Sequence, residues 1–405
     1  MSAESFDIAI VGGGMVGASL AAALRPLGLR VALIESVPLQ AEMQPSFDDR
    51  TTALSNGSRR ILGSMGIWEG LERDASAIRR IHISDQGRFG FARIDAREEG
   101  VAALGYVAAN RSIGAVLWRE LQSSPNVQLL CPASLEHIEP YANGVKLLIN
   151  AQQGTTELQA RLVVAADGAQ SVVRRHAGIE VTSWDYGQTA IITNIATQRY
   201  HDHVAYERFT PTGPLAILPL VDGRCTVVWT LAPEFAETTL RLGDDAFLAA
   251  LQERFGFRLG RFTRVGRRHA YPLTLTRADE RIGERLVIIG NAAQGLHPIA
   301  GQGFNLGLRD VAALAEAIAD AREDPGASEM LARYDEWRRA DRRSVIAFTD
   351  GLVRLFGSPL SPVKALRDVG LLLFDVLPPA KSALALLSMG VAGRLPKLSR
   401  GIGLS

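Results

Sequence analysis

Three glycines, Gly12, Gly14 and Gly17, stand at the spacing G-x-G-x-x-G, and an acid, Glu35, closes the next apolar run. Residues of these types bind an anion rather than break a bond. Gly12 permits a tight turn, Gly14 lets a pyrophosphate approach the backbone, and Gly17 lets a helix lie close to a strand. A helix opening at Met15 would direct free N–H groups and the positive end of its dipole at that anion. Glu35 can accept hydrogen bonds from both hydroxyls of an adenosine ribose and disfavours a 2′-phosphate. The pattern therefore suits FAD or NAD over NADP.

Two further marks follow. "LVVAADGAQSVVRR", from Leu162, ends an apolar run in Asp167-Gly168 and continues through Ser171 and Arg174. "GNAAQGLHPIAGQGFNLGLRD", residues 290–310, places five glycines and His297-Pro298 around the start of a periodic segment. Several glycines ahead of a helix suggest backbone brought close to something flat or anionic.

The elements that must position these residues are legible from periodicity. Phe6–Val11 is a near-continuous apolar strand of the kind buried on both faces of a parallel sheet. A helix from Met15 to about Leu27 sets Leu20 and Leu24 one turn apart, with Gly17 and Ala21 toward the sheet, and Val31–Ile34 is the next strand. A second helix begins near Gly303, its apolar face carried by Phe304, Leu308, Val311, Ala315 and Ile318. Between residues 186 and 231 the pattern changes to "TAIITNIATQ", "HVAYERF", "LAILPL" and "CTVVWTL", joined by Pro211-Thr212-Gly213-Pro214 and Asp222-Gly223. Such turns predict antiparallel hairpins.

Composition bounds the rest. A chain of 405 residues, 47% apolar, can bury the core of two intertwined domains. A formal charge of +1 gives no global attraction to nucleic acid. Residues 352–405 nevertheless carry seven basic side chains against two acids, beside the apolar clusters Leu371–Phe374, Val376-Leu377 and Leu384–Leu387. They could lie on an anionic bilayer surface or form a helical layer on the core. Cys131 and Cys225 form no metal-ligand or redox spacing and read as reduced cytosolic thiols. The N-terminal apolar run ends in glycines and is expected to be a strand, not a signal peptide. No run of 18 apolar residues predicts a transmembrane helix.

In this order and spacing, the three marks resemble the FAD-dependent aromatic hydroxylases, the single-component flavoprotein monooxygenases. "FDDRTTALS" (47–55), "YERFTPTGPLAILPLVDGRCTVVW" (206–229) and residues 290–310 are similar to the ubiquinone-biosynthesis branch. The resemblance implies that Pro298 and the stretch Gly301, Gly303, Phe304, Asn305 lie beside an isoalloxazine ring, with a helix N-terminus at its N1–C2=O edge. Arg50 becomes a flavin contact that moves with the ring, Arg111 a further FAD contact, and Asp167, Gly168 and Asn291 part of the FAD site. His297 becomes a candidate acid–base residue. Tyr206, with Phe209 and Trp229, becomes a candidate for a phenol pocket or for core packing. One departure stands out. Much of the wider family has Asp and His where this chain has Asn291 and Gln294; Asn still hydrogen-bonds a ribityl hydroxyl but brings no carboxylate.

The expected fold is α/β (α+β): a Rossmann-like FAD-binding domain (1–75, 101–180, 276–340), an inserted antiparallel-sheet substrate domain (76–100, 181–275) and a C-terminal helical region (341–405). The implied chemistry is hydroxylation of a polyprenyl phenol by O₂ through a flavin C4a-hydroperoxide, with electrons from NAD(P)H or a protein reductase. No metal is called for. The expected setting is cytoplasmic, with peripheral membrane contact and membership of a ubiquinone-biosynthesis complex as candidate associations. A polyprenyl reductase on the same fold, or a non-catalytic FAD-bound subunit of such a complex, are the competing readings.

Overall fold

The computed structural model describes residues 4–38, 50–88, 90–152, 154–295, 302–357 and 377–404. Its first sheet is built on parallel strands in the order Leu286–Ile288, Gly154–Ala165, Glu4–Val11, Val31–Ile34, Val127–Leu130. The central strand is apolar at successive positions because both its faces are covered. Ile8 and Ile10 pack with Leu20, Leu24, Leu308 and Val311 of the helices Met15–Leu24 and Gln302–Asp320. Ala9 and Val11 face the other way, onto Leu135, Leu147 and Ile149 of the hairpin Ala133–Tyr141/Gly144–Ala151. Alternation along one strand thus feeds two separate cores.

The second sheet has nine strands and is largely antiparallel; Val204–Thr210 runs parallel to Arg80–Asp85. One face is apolar at Ile191, Leu215, Ile217, Val227 and Trp229 and is covered by Phe247, Leu251 and Phe255 of the helix Asp244–Phe255. Its other face turns toward the first sheet. A small sheet of Thr51–Ser55, Gly105–Ala109 and Ala75–Ile78 completes the strands. Cys225 is buried in the second sheet, where desolvation pushes its thiol up to about 12, as befits an inert core residue.

Residues 377–404 are tied into this body. Met389 and Leu398 are buried, Gly57 N–H donates to Met389 O at 2.8 Å, and Ser64 Oγ donates to Leu398 O at 2.9 Å. Of the apolar clusters noted in the tail, Leu371–Phe374 and Val376 lie outside the described residues. Leu384 and Ala385 pack on Ile94 and Leu104, while Leu377 and Leu386 are exposed. Truncation after residue 379 is therefore expected to lower the melting temperature and the retained FAD together, measured on the purified protein. No described helix is long and apolar enough to cross a membrane.

Candidate active site

The two sheets face each other across one cavity of about 1360 Å³. At one end lies the glycine turn. Gly12 sits at φ +103°, and a Cβ there would stand 2.5 Å from Ala166 O; a Cβ on Gly17 would collide with Gly12 O. Both positions are closed to any side chain, so the turn, the Asp167 strand end and the helix stay in contact. The helix Met15–Leu24 opens at Gly14 with no side-chain cap, leaving its first N–H groups facing the cavity wall where Gly14 and Met15 lie.

Glu35 is buried, yet both carboxylate oxygens meet backbone donors: Gly13 N–H to Oε2 at 2.7 Å and Val37 N–H to Oε1 at 2.8 Å. Trp118 Nε1 donates to Gly13 O at 3.1 Å. The acid is held in one orientation at the cavity wall, and each oxygen keeps a lone pair for a ribose hydroxyl. Glu35→Ala is expected to weaken FAD binding by about 10–150-fold, the worth of one or two charge-assisted hydrogen bonds; titration of the apoprotein with FAD measures it.

Asp167 and Gly168 line the same end. Asp167 Oδ2 caps the helix Val172–His176 by accepting from Val172 N–H at 2.7 Å, and Gly168 takes φ +82°. Arg174 then spans to the late glycine stretch, donating to Ala292 O at 2.8 Å. Two of the motifs read from the sequence are thus joined by one guanidinium.

Gly303 lies in the first turn of Gln302–Asp320, and among the described residues a Cβ added there meets nothing within 4 Å. Open space beside that helix start is what a flat ring requires. Asn291, Gly303, Phe304 and Asn305 all border the cavity, whereas His297, Pro298 and Gly301 lie outside the described residues. Asn305 differs from expectation in what its side chain does. It ties the helix to the small sheet, accepting from Ser55 N–H at 2.8 Å and Ser58 Oγ at 2.7 Å and donating to Ala53 O at 2.8 Å. Arg50 also borders the cavity, its guanidinium over the Tyr271 ring at 5.0 Å. Arg111 is exposed and is not brought to the cavity; its neighbour Asn110, which the sequence reading passed over, is buried there. An FAD fits this set of residues: a ribose acceptor, a pyrophosphate turn and a ring-sized gap follow one another along one wall.

Tyr206 borders the cavity along its strand, but its ring lies elsewhere. Its ring packs on the far side of the sheet, edge-on to Phe255 at 5.2 Å, and Trp229 lies there too, against Phe247. Alternation puts the side chains of Ala205, Glu207 and Phe209 on the opposite face of the strand, toward the cavity. Core packing, the other role open to Tyr206 and Trp229, is the one their rings take.

Behind the late glycine stretch is a buried ionic cluster that the sequence did not announce. Asp310, 1% exposed, accepts from Arg338 Nε at 2.7 Å through Oδ1 and from Gln294 Nε2 at 3.4 Å through Oδ2. Asp341 bridges Arg309 and Arg338, and Arg342 pairs with Asp335. Among the described residues no cluster of three metal-ligating groups exists.

A parallel sheet with this glycine turn, facing an antiparallel sheet across a shared cavity, defines a flavoprotein of the hydroxylase type. Residues 5–349 match the family model described as an FAD binding domain. The chain belongs to that family, as an FAD-dependent aromatic hydroxylase of its ubiquinone-biosynthesis branch. It is 38% identical to ubiquinone hydroxylase UbiL of Rhodospirillum rubrum over 98% of this chain and 93% of that protein. It is 33% identical to 3-demethoxyubiquinol 3-hydroxylase of Escherichia coli, over 92% of this chain and 95% of that one. The fold is shared with the crystal structure of p-nitrophenol 4-monooxygenase PnpA from Pseudomonas putida DLL-E4, at a TM-score of 0.81 and 20% identity, covering 97% of this chain and all of that one.

Proposed function

We propose that the chain hydroxylates the aromatic ring of a polyprenyl phenol, a 2-polyprenyl-6-methoxyphenol or a close relative, in ubiquinone biosynthesis. The observation that carries this reading is the cavity beyond the Gly303 gap. Its walls there are aliphatic, with Ile78, Ile81, Ile94, Leu104, Leu218 and Leu384 contributed by three separate parts of the chain. A prenyl chain gains about 0.8 kcal/mol for each CH₂ it buries against such a wall. The relatives' names, which speak of ubiquinone and demethoxyubiquinol, support the same substrate class.

Bound flavin, reduced by NAD(P)H or a protein reductase and exposed to O₂, supplies the activated oxygen. The chain's own residues do the positioning. The start of Gln302–Asp320 would offer N–H groups to a flavin bound in the cavity, and the second sheet, which forms the facing wall, would help keep water from it. His297 and Pro298 remain proposed flavin-face residues on the strength of the family resemblance.

A substrate this apolar has to be met at a bilayer or handed over by a partner, and we include a peripheral membrane contact and a biosynthetic complex in the proposal. Profiling quinone intermediates in a deletion strain tests the function. An accumulated polyprenyl phenol lacking one hydroxyl is the expected result. Accumulation of an under-reduced prenyl chain would establish a reductase instead. A normal quinone profile restored by a turnover-dead, FAD-loaded variant would establish a non-catalytic subunit.

A further inference from the structure

Among the described residues, one carboxylate of the second sheet borders the cavity, that of Glu207. Along the strand Val204–Thr210, Glu207 is registered with Ile83 on one side and Ala216 on the other; Ala216 pairs with Val228, and Val228 with Ile192. All five border the cavity, so the cross-strand row reads Ile, Glu, Ala, Val, Ile. A sheet face that only covered a cofactor or a hydrocarbon chain would put an apolar residue at every place in that row. Among the described residues, no hydrogen bond or ion pair reaches the Glu207 carboxylate. Its remaining accessible surface opens into the cavity.

We propose that Glu207 is the proton acceptor for the ring hydroxyl of the phenol. The inference rests on the phenol reading above and adds the residue that activates the substrate. The phenol O–H bond breaks, its electron pair stays on oxygen and spreads into the ring, and the proton passes to a carboxylate oxygen of Glu207. Electron density rises at the ring carbons ortho and para to that oxygen, where an electrophilic oxygen is accepted.

The electrostatics agree with the geometry. Burial raises the Glu207 carboxyl from 4.5 to about 7, which places a general base near working pH. Its neighbours on the flanking strands are Ile83 and Ala216, and Asp85, opposite Phe209, is the other carboxylate on this face of Arg80–Asp85. From the helical side Phe348, Leu384, Ser388 and Met389 border the cavity without a titratable group. Arg50 enters from the small-sheet side; Glu35 and Asp167 line the dinucleotide end. Arg208 points to the opposite face, toward Arg254 O and Ser84.

The test uses the FAD-loaded full chain and, as probe, a methoxyphenol carrying one prenyl unit. Glu207→Gln should keep its FAD and its KM within about threefold and lose about 100- to 10,000-fold in kcat, the usual worth of a general base. It should also lose the acid limb of the kcat–pH profile near pH 7, which Glu207→Asp should retain. A second readout needs no turnover. The native chain holds a proton on Glu207 that the unfolded chain has released, so wild-type stability should fall as pH rises from about 4.5 to about 7. The melting temperature of Glu207→Gln should lack that decline. Unchanged kcat and pH limb in Glu207→Gln, with wild type active, overturns the assignment to Glu207 alone. A wild type that holds FAD yet turns over no phenol overturns the functional reading and this inference with it. Parallel melting curves at every pH would show that the carboxyl is not desolvated as the cavity requires.

Discussion

Gly303→Val is expected to give a folded, FAD-containing protein that hydroxylates no phenol. The backbone at 303 is ordinary helix, and among the described residues no neighbouring atom lies within 4 Å of where a Cβ would stand. No described neighbour opposes valine, and valine is the better helix former by a few tenths of a kcal/mol. The two methyl groups instead fill the gap proposed for the isoalloxazine and push the ring off its position. Displacement of a reacting group by about 1 Å costs about 100-fold in rate, and a branched side chain asks for more than that. The measurements are kcat with a phenol, bound FAD by absorbance, and the melting curve. Full turnover would move the ring to another part of the cavity.

Asp310→Ala should have the largest effect on stability. Asp310 sits between two helices, with Arg338 and Arg342 each no more than 5% exposed beside it. Burial works against the Arg338 charge, and Asp310 with Asp341 more than offsets it, holding the guanidinium above its usual range. Removing one partner from such a buried set leaves an uncompensated charge and costs about 3–5 kcal/mol. That is a large share of the stability of a typical domain. Chemical denaturation of the FAD-loaded protein should show the midpoint falling sharply. A double replacement, Asp310→Leu with Arg338→Met, should recover much of the loss, because well-packed apolar residues can stand in for a buried pair. A loss below about 1 kcal/mol for the single variant would mean that water reaches the cluster.

The dinucleotide end was legible because each residue there answers a local demand. Gly12 must take a positive φ, Gly17 must make room for a carbonyl, and Glu35 ends the second parallel strand; spacing alone reveals all three. The strand runs of the second sheet were equally plain. What escaped was whatever depends on which face meets which. Tyr206 and Glu207 are adjacent in "YERF", and only the position of Phe255 decides that the tyrosine turns away and the glutamate turns inward. Phe209, two residues on, carried the usable signal, since period-2 alternation puts it with Glu207. The charged cluster around Asp310 was invisible for a different reason. Arg309 and Asp310 sit among apolar helix positions and meet Arg338 and Asp341 only through the crossing of two helices. Asn110 borders the cavity while its exposed neighbour Arg111 is not among the described residues lining it, a difference of one position that helix spacing alone does not fix.

The docking of residues 377–404 bears on biogenesis. Met389 O holds Gly57 N–H, and Leu384 forms part of the cavity wall, so this wall is synthesised after every other. The first strand likewise waits for Gly154–Ala165 and then for Leu286–Ile288 to complete its sheet. Between the synthesis of Asn305 and that of Leu384, a nascent chain therefore carries a cavity still lacking its last aliphatic wall. Chaperone occupancy should be highest in that interval, and cofactor capture should follow translation, not accompany it.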